Sequence, residues 1–387
     1  MAGEISREQE RDHLRIGIDG RSLIPPMTGI GHYLKTVIEA WDQPGDEFYL
    51  YMPNAIPAEL KTASKVVIKS TRGIPPFIWK ETVLPWLLTR DGINVFWGPQ
   101  FVRPLWPIDI PTVISIHDML WLSENLRTMG LKNRVGSRVL VPRSISSSTK
   151  IIVLNSAVKY QLSQHYPQFA SKMVAILPPV TFDSPVVRKQ NGPVRLLAVN
   201  TIEPRKNIRL LVDVLLELNR EQPMAELDIV GKWGWESIDL KRRLSLLSDS
   251  GIRYHGYVPQ NQLDRLYSMS DFVISTSKYE GTGLPYVEAL GRGIPVVAMD
   301  NEGLQTLRLF SPAIKRIPKD TSLKQWVTIL KTCCYERVHF QKCAQQLAPD
   351  VRRCYSPMTA AFEIRKVFVS AVTAFNSTRG LYRPNFE

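Results

Sequence analysis

Two rhythms of apolar and polar positions alternate along this chain. Short, unbroken apolar runs rich in Val and Ile recur, and stretches with apolar residues at helical spacing lie between them. Apolar runs without period-two alternation predict strands of a parallel sheet covered on both faces. In the first half they fall at 14–20 (LRIGIDG), 47–52, 65–69, 93–98, 111–118 and 150–155, with the helical LKTVIEAW after the first. The pattern breaks at 177–193, a stretch rich in Pro and polar residues that reads as a linker. It then restarts with a strand at 194–200, a strongly periodic helix at 208–221, a strand at 225–231 and another at 295–300.

Strand–helix alternation in two blocks predicts an α/β chain of two Rossmann-like, doubly wound parallel-sheet domains facing each other across a cleft. The expected boundaries are 14–180 and 194–354, and 387 residues are ample for two cores. Ligands of such sheets bind beyond the carboxyl ends of the strands, so the loops there are the candidates for chemistry.

Composition narrows the classes. The chain is 44% hydrophobic and 22% charged, as a globular protein is. No apolar run reaches the roughly eighteen residues of a membrane span. The opening MAGEISREQERDHL is charged, without the apolar centre of a secretory signal, and is expected to be a frayed polar leader. Cys333, Cys334, Cys343 and Cys354 form no CxxC pair and read as reduced thiols. Cys333, His339 and Cys343 lack the second ligand pair of a zinc site.

A formal charge of +13 calls for anionic partners: nucleic acid, an anionic membrane surface or phosphorylated substrates. Between Met119 and Val180 eight Lys/Arg (Arg127, Lys132, Arg134, Arg138, Arg143, Lys150, Lys159, Lys172) face one acid, Glu124, with apolar residues interleaved. Such a segment suits anionic lipid headgroups, and an ordinary solvated helix face suits it equally. No nucleic-acid module is recognisable, so charge alone does not make this a nucleic-acid binder.

Four loops could carry chemistry. TGIGHY, Thr28 to Tyr33, follows a strand and opens a helix, so its N–H groups could meet an anion; a plain strand-to-helix turn is the competing reading. His117, with Asp118, ends an apolar strand, where it could donate a hydrogen bond or shuttle a proton. EPRKN, 203–207, sets Arg205 and Lys206 at the start of a long helix, where cations are disfavoured unless an anion such as a diphosphate arrives. YEGTGLPYVEALGRG, 279–293, places Glu280 and Glu288 around Gly281 and Gly283, ahead of a helix with Pro285 in its first turn. Carboxylates repel phosphate but accept hydrogen bonds from hydroxyls, so a diphosphate between two sugars would answer all of these groups.

Glu280 to Glu288 resembles the E-x7-E motif of retaining GT-B glycosyltransferases of family 4. VNTIEPRKNIRLLVDVL is similar to that family's diphosphate-binding segment. VGKWGW, GYVPQNQLDRLYSMSDFVISTS and TGIGHY follow in matching order, and the likeness covers roughly 14–375. The resemblance implies a nucleotide-sugar donor on the C-terminal domain and an acceptor on the N-terminal one. Arg205 and Lys206 would hold the diphosphate, Glu288 the ribose hydroxyls and Glu280 those of the transferred sugar. Backbone groups of Thr282, Gly283 and Leu284 would lie beside phosphates and sugar, and those of Tyr257 and Val258 beside the base. His117 would contact the sugar or reacting centre, and Gly29 and Gly31 would approach the donor phosphates. The segment 355–375 resembles the family's closing helix, which returns to the first domain.

No Asp-x-Asp occurs, and no metal or other cofactor is expected; cations and helix N-termini would stabilise the leaving nucleoside diphosphate instead. The family implies retention without an enzymic nucleophile. Thr282 and Asn200 depart from the bulkier residue and the glycine frequent at those positions, which bears on the donor. The wording IEPRKN is most like mannosyltransferases, so GDP-mannose is the expected donor. A lipid-linked or polysaccharide acceptor in cell-surface polysaccharide (lipopolysaccharide) biosynthesis completes the expectation, with the enzyme cytoplasmic and peripheral on the membrane. A non-catalytic nucleotide-sugar-binding subunit of an assembly complex is the alternative. An epimerase would want its acids placed differently, and a phosphorylase a lysine for a cofactor aldehyde.

Overall fold

The apolar runs of the first block become parallel strands: β1 (Arg15–Asp19), β2 (Glu47–Pro53), β3 (Lys65–Thr71), β4 (Val95–Gly98), β5 (Thr112–Ile116), β6 (Lys150–Val153) and β7 (Met173–Ala175). This computed structural model describes residues 13–379 apart from 26, 28, 54–56, 72, 123–130, 183–191, 235–237 and 248–249, with the side chains of 120 and 131–137 also outside the description. The first sheet runs β3-β2-β1-β4-β5-β6-β7. The second block supplies β8 (Val194–Val199), β9 (Ala225–Val230), β10 (Ile252–Gly256), β11 (Phe272–Ser275), β12 (Val296–Met299) and β13 (Ile314–Ile317), ordered β10-β9-β8-β11-β12-β13. Every pairing between these strands is parallel.

Both orders reverse direction once. The first sheet grows one way through β1, β2 and β3, then restarts with β4 on the other side of β1. The second does the same between β8 and β11. At such a point the loops leaving two adjacent strands diverge and leave room for a ligand at the carboxyl edge.

Each sheet is covered by helices whose apolar spacing was legible. In helix Ile208–Leu218, Ile208, Leu211, Val212, Leu215 and Leu218 fall at three- and four-residue steps and bury on β8, β9 and β11. Helix Gly29–Glu39 likewise buries Tyr33, Leu34, Val37 and Ile38 on the first sheet. The two compact units are divided near residues 180 and 355, and Tyr355 onward belongs to the first. There helix Pro357–Thr378 buries Ala360, Ala361, Ile364, Val367, Phe368 and Ala371. Phe368 lies 5.9 Å from the ring of Trp41 and 5.4 Å from that of Trp97.

Several sequence expectations fall outside the described residues: the polar leader 1–12, Thr28, most of the linker, Trp235, Glu124 and Arg127, with the side chains of Lys132 and Arg134. The rest of the basic segment is partly committed to the fold. Helix Leu131–Ser147 buries Val141 and Ile145, while Arg138, Val139 and Arg143 are exposed. Lys172 Nζ donates to the carbonyls of Ser146 and Ser148 (both 2.9 Å), a cation at a helix C-terminus, where the dipole favours it. Cys333 is buried in the core of the second unit, where burial pushes its thiol up to about 11, whereas Cys343 Sγ lies 3.8 Å from His339 Nε2.

Candidate functional site

The turning point of the second sheet brings together two loops that are more than seventy positions apart in the sequence. After β8 the chain makes a single tight turn, Pro204–Lys206, before helix Ile208–Leu218. After β11 it runs through 276–283 into helix Leu284–Gly291. Thr276 Oγ1 donates to the carbonyls of Lys206 (3.1 Å) and Asn207 (2.9 Å), and the Lys278 amide donates to Arg205 O (2.8 Å). The loops are therefore laced into one surface.

On that surface the cations meet Glu280. Lys206 Nζ donates to Glu280 Oε1 at 2.5 Å. Arg205 Nη1 donates to Tyr279 O at 2.9 Å and lies 3.5 Å from Glu280 Oε2, while its Nε donates to Glu203 at 2.9 Å. Lys206, Glu203 and Glu280 are buried. This corrects the expectation that the two cations stand unfavourably at a helix start until an external anion comes. Asn207, in the left-handed conformation (φ 52°), separates their turn from the helix, and Glu280 supplies the counter-charge from 74 positions away.

The two glutamates of the motif sit in opposite electrostatic settings. Burial pulls Glu280 upward, but Lys206 and Arg205 together more than offset it and hold the carboxyl below the ordinary range. Burial also lowers Lys206, against the attraction of Glu280. For Glu288 burial prevails. It raises the carboxyl, moderated by the Tyr267 hydroxyl, which donates to Oε2 at 2.7 Å, and by Arg292, which also donates to the Glu288 carbonyl at 3.2 Å. Arg292 stacks over the Tyr267 ring at 4.6 Å and donates to Asp264 at 2.9 Å. Paired acids pushed apart in this way suit different tasks.

Gly283 has φ +67°, and a Cβ there would stand 2.5 Å from the ring of Tyr286, so no side chain fits between turn and helix. Thr282 beside it is buried, and Leu284 opens the helix. Past β10, Tyr257 is exposed, with Lys232 Nζ 5.4 Å from its ring, and Val258 is buried. Asn200 is buried with its carbonyl against Gly231; a Cβ on that glycine (φ +143°) would overlap it at 1.8 Å. Sequence reasoning passed over Asn301, buried behind the glycine turn, and Gly303, packed against Glu280. Asn301 is recognisable locally only as the cap of a four-residue helix, its Oδ1 accepting from Leu304 N.

In the first unit the corresponding carboxyl edge is mostly aromatic. His117 follows β5, and its Nε2 donates to Pro99 O at 2.7 Å. Its ring meets Tyr33 edge-on at 5.1 Å and Phe101 at 5.4 Å. Burial pushes its pKa down to about 4, so the ring is neutral at pH 7. With Nε2 donating to Pro99, Nδ1 is the lone-pair side. Of the two roles expected from sequence, donating a hydrogen bond or shuttling a proton, the donation at Nε2 goes to the backbone and Nδ1 is left able to accept. Asp19 is paired with Arg21 through Nε at 2.8 Å and Nη2 at 2.5 Å. Gly31 is bare for an internal reason, since a Cβ would stand 2.2 Å from Ser22 O, whereas Gly29 opens onto free space.

Residues 180–307 match the family model described as Glycosyl transferases group 1. Over that stretch the chain matches a group 1 glycosyltransferase domain. Both cations, both glutamates and the glycine turn lie inside the matched stretch. The chain is 42% identical over 103 residues to O-antigen chain mannosyltransferase B of Escherichia coli, covering 26% of this chain and 27% of that one. It is 34% identical over 106 residues to the serotype-specific mannosyltransferase WbdA of Escherichia coli, covering 27% of this chain and 13% of that one. These matches thus span about a quarter of the relatives' length or less. Among solved structures, Anabaena Alr3699/HepE in complex with UDP and glucose superposes with TM-score 0.71 at 16% identity, over 92% of this chain and 100% of that one. WaaG, a glycosyltransferase involved in lipopolysaccharide biosynthesis, gives 0.67 at 15% identity, over 91% and 99%. At such identities the likeness is one of fold, and the fold is GT-B.

Proposed function

We propose that this chain is a retaining, metal-independent hexosyltransferase that moves a sugar from a nucleotide sugar to a lipid-linked or polysaccharide acceptor in cell-surface polysaccharide biosynthesis. The observation that carries the reading is the cluster of Arg205 with the buried Lys206 and Glu280 at the turning point of the second sheet, beside the glycine turn. Arg205, Lys206 and the backbone of Thr282, Gly283 and Leu284 would neutralise the nucleoside diphosphate as it leaves. Glu280, released in part from Lys206, would accept hydrogen bonds from the hydroxyls of the transferred sugar, and Glu288 from the ribose. Tyr257 and Val258 would meet the base through their backbone, and Gly29 and Gly31 would approach the phosphates. His117, neutral and accepting through Nδ1, would take a substrate hydroxyl. The departing phosphate would take the acceptor's proton.

GDP-mannose is the first donor to test, supported by the two mannosyltransferase relatives. Peripheral attachment to the cytoplasmic face of a membrane belongs to the same proposal. Among the described residues no helix is long and apolar enough to cross a membrane.

Hydrolysis and transfer across a panel of nucleotide sugars test the reading, with and without chelator. Arg205→Ala and Glu280→Ala should each lower turnover at least about a hundred-fold. Unchanged turnover in both would remove the site assignment, and loss of activity with chelator would remove metal independence. Nucleotide-sugar binding without turnover would favour the non-catalytic subunit. Flotation with anionic liposomes tests the membrane part, and no flotation would end it.

A further inference from the structure

Gly303 lies outside both loops of the site yet touches its centre. Its φ is not in the left-handed range, so its lack of a side chain meets no conformational need. A Cβ there would stand 2.9 Å from Glu280 Cβ, 3.1 Å from the Gly283 amide nitrogen and 3.2 Å from Asn301 Oδ1. The first distance is shorter than such atoms pack, so position 303 is bare because Glu280 and the glycine turn rest on it.

Asn301 holds the same surface from behind. Its side chain is buried, and Nδ2 lies 3.0 Å from Met299 O, 3.2 Å from Ser277 O and 3.1 Å from Tyr286 Oη. Tyr286 in turn donates to Ser275 Oγ at 3.0 Å and places its ring under Gly283. One amide thereby joins the end of β12, the loop after β11 and helix Leu284–Gly291.

We propose that Gly303 and Asn301 are positioning residues of the donor site, acting through Glu280. Gly303 sets how far Glu280 sits from Lys206, and Asn301 keeps the turn that carries Glu280 from moving away. This rests on the transferase reading above, because the role positioned is the contact of Glu280 with the transferred sugar.

A double-mutant cycle on the full chain tests it. Gly303→Ala should lower kcat/KM for transfer about ten-fold or more, mainly through kcat, since small displacements of a positioned group have effects of this size. Calorimetry with the nucleoside diphosphate alone should show Kd changed by less than about three-fold, because the sugar contact is the one disturbed. In a Glu280→Ala background Gly303→Ala should have less than about two-fold further effect, and Asn301→Ala should behave likewise. Losses that multiply would overturn the proposal. If the unaltered chain turns over no nucleotide sugar, the transferase reading has failed, and urea unfolding still decides the positioning. Gly303→Ala should then destabilise the parent but not Glu280→Gly, which lacks the opposing Cβ. Equal destabilisation in both backgrounds would overturn it.

Discussion

The two sheets reverse their strand order in the same way and put opposite chemistry at the reversal. In the second unit the edge is ionic: Glu203, Arg205, Lys206 and Glu280 are interlocked and three of the four are buried. In the first, the neutral His117 ring sits among Tyr33 and Phe101, and the adjacent charges, Asp19 and Arg21, satisfy each other. Topology therefore supplies a place, and the loop residues decide what that place can hold. Fixed charges suit a charged leaving group; an aromatic wall with one acceptor suits a neutral, hydroxyl-bearing molecule.

The contrast is most severely tested by removing a charge from the ionic edge. Lys206→Met leaves Glu280 buried with only the more distant Arg205, and breaking such a pair typically lowers stability by about 3–5 kcal/mol. Urea unfolding should show a loss of that order, mostly recovered in Lys206→Met with Glu280→Leu. A loss below about 1 kcal/mol would mean the edge is not an interlocked pair.

A pH titration probes the aromatic edge. His117 binds its proton less readily folded than unfolded, so between about 6.5 and about 4 the unfolded chain holds more protons. The stability contributed by neutral His117 is complete above about pH 6.5 and is lost as the pH falls toward 4. The loss is at most about 3 kcal/mol. His117→Phe should flatten that part of the stability–pH curve, and an unaltered slope would show that His117 is not the group responsible.

The smallest effect separates the two glutamates. Tyr267→Phe removes the hydroxyl that moderates Glu288, at about 1 kcal/mol of stability. The carboxyl should then protonate at a higher pH than in the parent. Nucleotide affinity, measured by calorimetry as the pH is lowered, should accordingly begin to fall sooner. Glu280, held down by two cations, should not respond to this change.

Most of this architecture was legible in the residues. Apolar runs such as VRLLAV and FVIS mark their strands because a parallel strand buried on both faces leaves no polar alternation to confuse. β7 and β13 were not legible, since three and four residues at a sheet edge carry too little pattern. In the site, residue types and loop placement could be read, but partners could not. That Lys206 meets Glu280 depends on β8 and β11 being neighbours, which no local spacing encodes. The same is true of Gly303, whose importance is the absence of atoms where Glu280 lies.

The Lys206–Glu280 bond has one more consequence. Because Lys206 is already paired with the buried Glu280, inorganic phosphate could engage the lysine only by stranding that carboxylate. A ligand that brought an anion for the lysine and hydroxyls for the glutamate, as the proposed donor does, would exchange both partners together. In the proposed donor site the pair would therefore act as a coincidence detector, answering to the two ends of one molecule.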